Sequence, residues 1–190
     1  MTSRKELLLS LKICAILDRD ALPEYLIREK GVTSIQIRRK NVKSIDLIKK
    51  VKHIKRKSKI PIFINDRADV AFASDCCGIH VGTGDMPVRL LKKMLDNSFI
   101  IGKTVRNSHQ AKIAKSERVS YISIGPIYKT PTKDFIKPKG IKIINRIKKA
   151  SRLPLVAIGG VNFSNKDKIM SYGADGVAMV RAIAKLVKNN

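Results

Sequence analysis

Short apolar runs rich in isoleucine and valine recur along this chain, each ending in glycine or polar residues, with longer amphipathic stretches between them. The runs are Ile13–Leu17, Ser34–Ile37, Pro61–Ile64, Gly78–Val81, Phe99–Gly102, Tyr121–Gly125, Pro154–Ile158 and Gly176–Val180. They are nearly continuous in apolar residues, as expected of strands covered on both faces in a parallel sheet. The intervening stretches show helical spacing. Ile45, Ile48, Val51 and Ile54 mark one helix, Leu90, Leu91, Met94 and Leu95 a second, and Ile141, Ile144 and Ile147 a third. Pro87 suits the first turn of the second helix. Eight strand-then-helix units predict a compact (β/α)8 TIM barrel, one domain over 1–190, with an open doubly wound sheet as the alternative. The 190 residues fall short of the roughly 250 usual for this fold, so its loops and helices must be trimmed. The short amino-terminal segment and last helix predict an incomplete closure.

A barrel places chemistry where strands end and loops begin. Gln36, Arg38 and Lys40 alternate at the second strand end and so share one face. Asn65-Asp66-Arg67 follows the third run, and His80-Val81-Gly82-Thr83-Gly84-Asp85-Met86-Pro87 the fourth. Either aspartate would serve as a helix N-cap, and for Asp85 alone capping is the favoured reading. Together, on neighbouring strands, Asp66 and Asp85 form a partial magnesium shell, because Mg2+ takes one or two carboxylates plus phosphate oxygens and water. His80 lies within a strand run and is read as structural. His53 and His109 fall on helices and belong to no motif.

Gly102-Lys103-Thr104 follows the fifth run and Gly125 to Lys133 the sixth. Thr130, Thr132 and Lys133 bring two hydroxyls and an ammonium close together, groups that hold phosphate oxygens and neutralise a departing diphosphate. The long connection that follows, with Pro131 and Pro138, is expected to act as a lid. Gly159-Gly160 after the seventh run and Val180-Arg181 after the eighth occupy the positions of a barrel phosphate cup, with Ser164 as a cap for the next helix.

In this order, at strand ends along almost the whole chain, these segments resemble the thiamine-phosphate synthase family. Its Gln-x-Arg-x-Lys is similar to Gln36 to Lys40, its Asn-Asp-Arg to Asn65 to Arg67, and its His-x-Gly-Gln-x-Asp-x-Pro to His80 to Pro87, with Thr83 replacing Gln. Its Gly-Pro-aromatic-x-Thr-x-Thr-Lys and Ala-Ile-Gly-Gly resemble the stretches 125–133 and 157–160. The resemblance implies coupling of hydroxymethylpyrimidine diphosphate to a thiazole phosphate, with thiamine phosphate and pyrophosphate as products. It implies Mg2+ on Asp66 and Asp85. It implies pyrimidine and diphosphate contacts from Gln36, Arg38, Lys40, Asn65, Thr104 and Lys133, with Lys133, Arg38, Lys40 and Thr104 acting in catalysis. The thiazole-phosphate contacts it implies are Thr130, Thr132, Gly160, Val180 and Arg181. The sequence departs from the family at Thr104-Val105-Arg106, where Ser-x-His is common, and at Arg181, where Ser is common. Related thiazole tautomerases use a histidine in the first of these loops, so Arg106 disfavours a tautomerase-like relative that binds thiazole phosphate without coupling.

Charge adds a second alternative. Forty Lys and Arg against 15 acidic residues give a net charge of +25, which attracts polyanions. The basic residues are spread along helical stretches such as 43–59, and only 5% of residues are aromatic, with no Trp to stack on bases. A nucleic-acid-binding protein is therefore the more distant reading, and no specific nucleic-acid partner is expected. Cys14, Cys76 and Cys77 have no framework spacing, which suits a reducing, cytoplasmic setting. No apolar run reaches the roughly 18 residues of a membrane span, so no membrane partner is expected. A homo-oligomer is compatible with the sequence. On this reading nonspecific duplex DNA binds weakly. Tight binding whose affinity falls steeply with salt would restore the nucleic-acid class.

Overall fold

A computed structural model describes residues 3–17, 30–39, 41–57, 59–131 and 136–188. Eight parallel strands close into a barrel in chain order: β1 Ile13–Leu17, β2 Ser34–Ile37, β3 Ile62–Asn65, β4 Gly78–Val81, β5 Ile100–Val105, β6 Tyr121–Ile124, β7 Leu155–Ile158 and β8 Gly176–Met179. The expected incomplete closure is not found: β1 pairs with β8 through Ile13↔Val177, Cys14↔Ala178 and Ala15↔Met179. The amino-terminal segment serves the closure. Helix α1 (Arg4–Leu9) starts with a capping box in which Ser3 and Glu6 satisfy each other's backbone N–H groups. It sends Leu7, and Leu11 in the following 3-10 turn, into the apolar cluster that fills the barrel beside Phe63, Ile100 and Tyr121.

The other described helices are α2 Ser44–Lys57, α3 Ala68–Ser74, α4 Val88–Met94, α5 Ser108–Ser116, α6 Ile143–Ser151, α7 Lys166–Ser171 and α8 Arg181–Lys188. Their buried faces include Ile48, Val51, Ile54, Leu91 and Leu95 as the spacing predicts, and correct it at single positions. In α2 the pair Leu47 and Val51 faces the barrel, while Ile45 is 55% exposed. In α4 Val88 and Leu91 are buried, Met94 is 45% exposed, and Pro87 stands one residue before the helix. Helix α6 starts after Ile141 and buries Ile144 and Ile147 as expected.

Strand β5 runs to Val105, three residues past its apolar run, because Lys103, Thr104 and Val105 pair with Ile122, Ser123 and Ile124. Thr104 is thus a strand residue, not a loop residue. Alternation along the strands sorts the side chains. One set, including Ile35, Ile62, Ile64, Ile79, Ile122 and Leu155, packs between sheet and helices. The other set points into the barrel. Its lower part is apolar, with Cys14, Phe63, Ile100 and Tyr121. The set includes Gly102, where a Cβ would stand 2.2 Å from Cζ of Tyr121 and 2.5 Å from Nδ1 of His80.

That crowding predicts that Gly102→Ala lowers stability by about 1–3 kcal/mol, the usual cost of overpacking a core. The urea midpoint measures it. An unchanged midpoint would show that the Tyr121 ring has room to move.

Candidate active site

The barrel interior turns polar toward the carboxyl ends of its strands. His80 on β4 is only 7% exposed. Its Nδ1 lies 2.9 Å from the Tyr121 hydroxyl, and its Nε2 lies 2.9 Å from Oγ1 of Thr104 and 3.1 Å from Oγ of Ser123. Thr104 and Ser123 are 3.2 Å apart. Gln36, itself 5% exposed, is near enough to the Tyr121 hydroxyl to oppose part of the effect of burial on it. Burial holds the Tyr121 hydroxyl well above its ordinary pKa, with a further push from Cys14, so the phenol keeps its proton and the contact to His80 is not made by a phenolate. The network ties β4, β5 and β6 together, and Thr104 is its half-buried upper member. His80 was expected to be structural. It is buried and hydrogen-bonded, and it also orients Thr104, an expected site residue. Parity carries the signal: Ile79 and Val81 pack against the helices, so His80 between them points inward.

Above this layer sits the β2–β3 rim. The Arg38 N–H continues the ladder by donating to the Leu17 carbonyl at 2.9 Å. Asn65 ends β3. The Arg67 N–H then donates back to the Asn65 carbonyl at 2.8 Å, closing a three-residue turn around Asp66, whose φ is 63°. A non-glycine residue in that region at the middle of a tight turn is strained, and such strain gathers at functional sites. The Asp66 N–H donates to the His80 carbonyl at 2.9 Å, which couples the turn to β4. A cavity of about 230 Å³ opens here, lined by Arg38, Arg39, Asn41, Asn65, Asp66 and Arg67. Three arginines, two asparagines and one aspartate thus line it, a set in which cationic residues outnumber the carboxylate and suit an anion.

Neither aspartate caps a helix. Arg67 and Pro87 hold the N-cap positions of α3 and α4, and neither caps through its side chain. Asp85 instead accepts the Gly82 N–H at 2.6 Å, folding the β4 loop into a closed turn at the exposed rim. Among the described residues no group of three or more His, Cys, Asp or Glu is placed to hold a metal ion.

The opposite rim is built by the loops after β6, β7 and β8. Gly159 and Gly160 have φ of 92° and 67°. A Cβ on Gly160 would lie 2.6 Å from Cβ of Tyr128 and 2.9 Å from the Lys129 carbonyl oxygen. Glycine therefore lets the β7 loop lie against the β6 loop, which bears the buried Thr130. The Asn165 amide donates to the Gly160 carbonyl at 3.0 Å and fixes the turn. Asn165, not Ser164, is the N-cap residue of α7. Val180 is half-buried at the barrel mouth, while Arg181 is exposed at the start of α8. Arg106 is exposed, and its N–H is bound by Gln110. Lys40, Thr132 and Lys133 lie outside the described residues. In the expected lid, the Lys139 and Gly140 N–H groups bond the Pro126 and Ile127 carbonyls, so its far end returns to its start.

The structure thus brings Gln36 and Thr104 together through Tyr121 and His80, and Arg38, Asn65 and Asp66 around one cavity. A closed barrel whose strand ends carry an arginine-lined cavity has the arrangement of a (β/α)8 enzyme, in which chemistry sits at that face. The profile of the family described as thiamine monophosphate synthase matches residues 19–183, and the chain belongs to that family. Thiamine-phosphate synthases of Methanococcus maripaludis and Methanobrevibacter smithii are 39% and 38% identical to it. The first alignment covers 91% of this chain and 86% of the relative, and the second 80% and 75%. Thiamine phosphate pyrophosphorylase from Pyrococcus furiosus superposes with a TM-score of 0.80 at 30% identity, over 96% of each chain. A tryptophan synthase alpha-subunit at 15% identity and TM-score 0.71 shares the fold alone.

Replacing His80 with Leu would take one partner from each of the Tyr121, Thr104 and Ser123 hydroxyls and leave Thr104 and Ser123 bonded to each other. The expected destabilisation is about 2–4 kcal/mol by urea unfolding, since a buried polar group without a partner costs roughly 1–3 kcal/mol. Adding Tyr121→Phe to that variant should recover part of the loss. A further loss of stability on adding it would show that the Tyr121 hydroxyl is satisfied without His80.

Proposed function

We infer that this transferase joins hydroxymethylpyrimidine, supplied as its diphosphate, to a thiazole phosphate, releasing pyrophosphate and forming thiamine phosphate. The observation that carries the reading is the cavity in which Arg38, Arg39 and Asn65 surround Asp66 at the ends of β2 and β3. Family membership supports the reaction, and the cavity supports where the diphosphate goes.

Gln36 and Thr104 face the barrel mouth and are the groups that meet the pyrimidine. Arg38 and Asn65, with Lys40 and Lys133, hold the diphosphate. Breaking the bond between the pyrimidine methylene carbon and the diphosphate oxygen leaves both electrons on that oxygen. The methylene carbon becomes cationic, and the thiazole nitrogen donates its lone pair to form the new C–N bond. The protein's part is electrostatic: fixed cations and N–H donors stabilise the leaving oxygens, and no general base is required. Thr130, Thr132, Gly160, Val180 and Arg181 hold the thiazole phosphate. Gly159 and Gly160 leave backbone exposed to it because they lack Cβ atoms.

Asp66 and Asp85 stand on the loops of adjacent strands and offer only oxygen donors, a set that fits magnesium with its remaining positions filled by phosphate oxygens and water. When bound there, the ion would offset the repulsion between two carboxylates and a diphosphate and would ligate the leaving oxygens. Both substrates are anions, and a chain of net charge +25 attracts them from a distance. Three free thiols suit a reducing compartment such as the cytoplasm. No described helix is long and apolar enough to cross a membrane.

With both substrates and magnesium, the purified protein should form thiamine phosphate. A chelator should stop turnover and added magnesium restore it. Asp66→Asn and Asp85→Asn should each lower kcat on the order of 100-fold, the scale of losing one electrostatic element of a site. No product from the parent, or Asp85→Asn turning over like the parent, would overturn the reading.

A further inference from the structure

Arg67 lines the anion-receiving cavity, yet its guanidinium is spent elsewhere. Its Nε donates to Oδ1 of Asp69 at 2.9 Å, and one Nη donates to Oδ2 of Asp69 at 2.6 Å. The same Nη donates to the Ser44 hydroxyl at 2.5 Å, and the other Nη to the Val42 carbonyl at 3.1 Å. Ser44 in turn donates to Oδ2 of Asp69 at 2.8 Å. A guanidinium has five N–H groups, and these contacts occupy four of them.

The contacts join two segments far apart in sequence. Val42 lies in the connection between β2 and α2, which also carries Arg38, Arg39 and Asn41, and Ser44 opens α2. Arg67 ends the turn that leads from β3 into α3, and Asp69 lies in the first turn of α3. Asn41 has φ of 59° and Asp66 has φ of 63°, so each segment holds one residue in the left-handed region. Strained residues persist only where the surroundings over-determine them. The Arg67–Asp69–Ser44 cluster, with the Val42 carbonyl, is a hydrogen-bonded contact that joins the two segments beside both residues.

We propose that Arg67 is a positioning residue: with Asp69 and Ser44 it clamps the β2 loop to the Asp66 turn, and so preshapes the cavity for a diphosphate instead of binding the diphosphate itself. The inference rests on the diphosphate reading of the cavity. It makes a prediction opposite in sign to simple electrostatics. Removing the Asp69 charge from beside an anion site should strengthen anion binding if charge alone mattered. If the clamp matters, it should weaken binding.

The test uses the full chain, with magnesium pyrophosphate as the probe in calorimetry and amide hydrogen exchange over residues 41–44 and 66–69 as a second readout. Asp69→Asn should weaken pyrophosphate binding about tenfold, the scale seen when a supporting shell is lost. It should also speed exchange in both segments. Arg67→Lys should do the same despite keeping its charge, because an ammonium lacks the planar fork. The double variant should be no worse than either single one, since both break one unit. Ser44→Ala removes a single hydroxyl and should give a smaller change in the same direction, which keeps the test sound if the stronger variants do not fold. Asp69→Asn binding pyrophosphate as tightly as the parent or more tightly, while Arg67→Lys weakens it, would overturn the proposal and make Arg67 a direct ligand. Unchanged exchange in both segments would overturn it as well. A parent that fails to bind magnesium pyrophosphate would instead sink the diphosphate reading, and exchange would still report on the clamp.

Discussion

Alternation along closed parallel strands is the constraint on which the rest of this structure depends. Once β1 pairs with β8, every strand residue points either to the helices or into the barrel, and no free edge remains. The interior is narrow, so its contents are coupled. Gly102 must lack a side chain so that Tyr121 and His80 fit, and those two then fix Thr104. The polar groups of the upper layer gather there because each finds a partner, since an unpaired buried hydroxyl or imidazole is costly, whereas the Ser34 hydroxyl on β2 is buried with no hydrogen-bond partner among the described residues. The polar upper layer is thus a product of closure, and the chemistry stands on it.

This explains which parts were legible in the sequence. Strands buried on both faces spell themselves in Ile and Val, so β1, β2 and β4 matched their apolar runs. Strand β5 ran further than its apolar run because Lys103 and Thr104 are polar. Their pairing with β6 is a tertiary fact that no local pattern shows. Single positions on the helices were less legible. In a chain with 44% apolar residues, Ile45 and Met94 satisfy helical spacing and still face solvent, so spacing alone does not settle each position. The site motifs were legible as clusters at strand ends. The left-handed backbone at Asp66 was not, because Asn-Asp-Arg reads equally well as an ordinary cap. His80 was undervalued because it was weighed as a lone histidine, and a strand histidine gains meaning only from what lies across the barrel.

The two halves of the site rest on different physics. The β2–β4 half uses side chains held by other side chains, with a strained turn at its centre and a hydrogen-bonded cluster beside it. The β6–β8 half uses backbone: glycines in the left-handed region, a carbonyl pinned by Asn165, and a loop pressed against its neighbour. Side-chain cations suit a diphosphate whose charge changes as a bond breaks. Backbone N–H groups suit a phosphate monoester that only has to be held. On the proposed assignment, each kind of holding falls to one of the two substrates of the coupling.

The high positive charge acts at another level. A net +25 creates attraction without an address, because lysines on outer helix faces meet any anion equally. Several acidic residues lie in surface ion pairs such as Lys55–Asp75 and Lys148–Asp175, and exposed pairs of this kind add little stability. What sets the cavity apart from that background is arrangement. Arg38, Arg39 and Arg67 converge there with a carboxylate among them, and Arg67 gives most of its hydrogen bonds to the protein itself. A guanidinium committed in this way gives shape to the cavity wall, and shape is what a diffuse basic surface lacks.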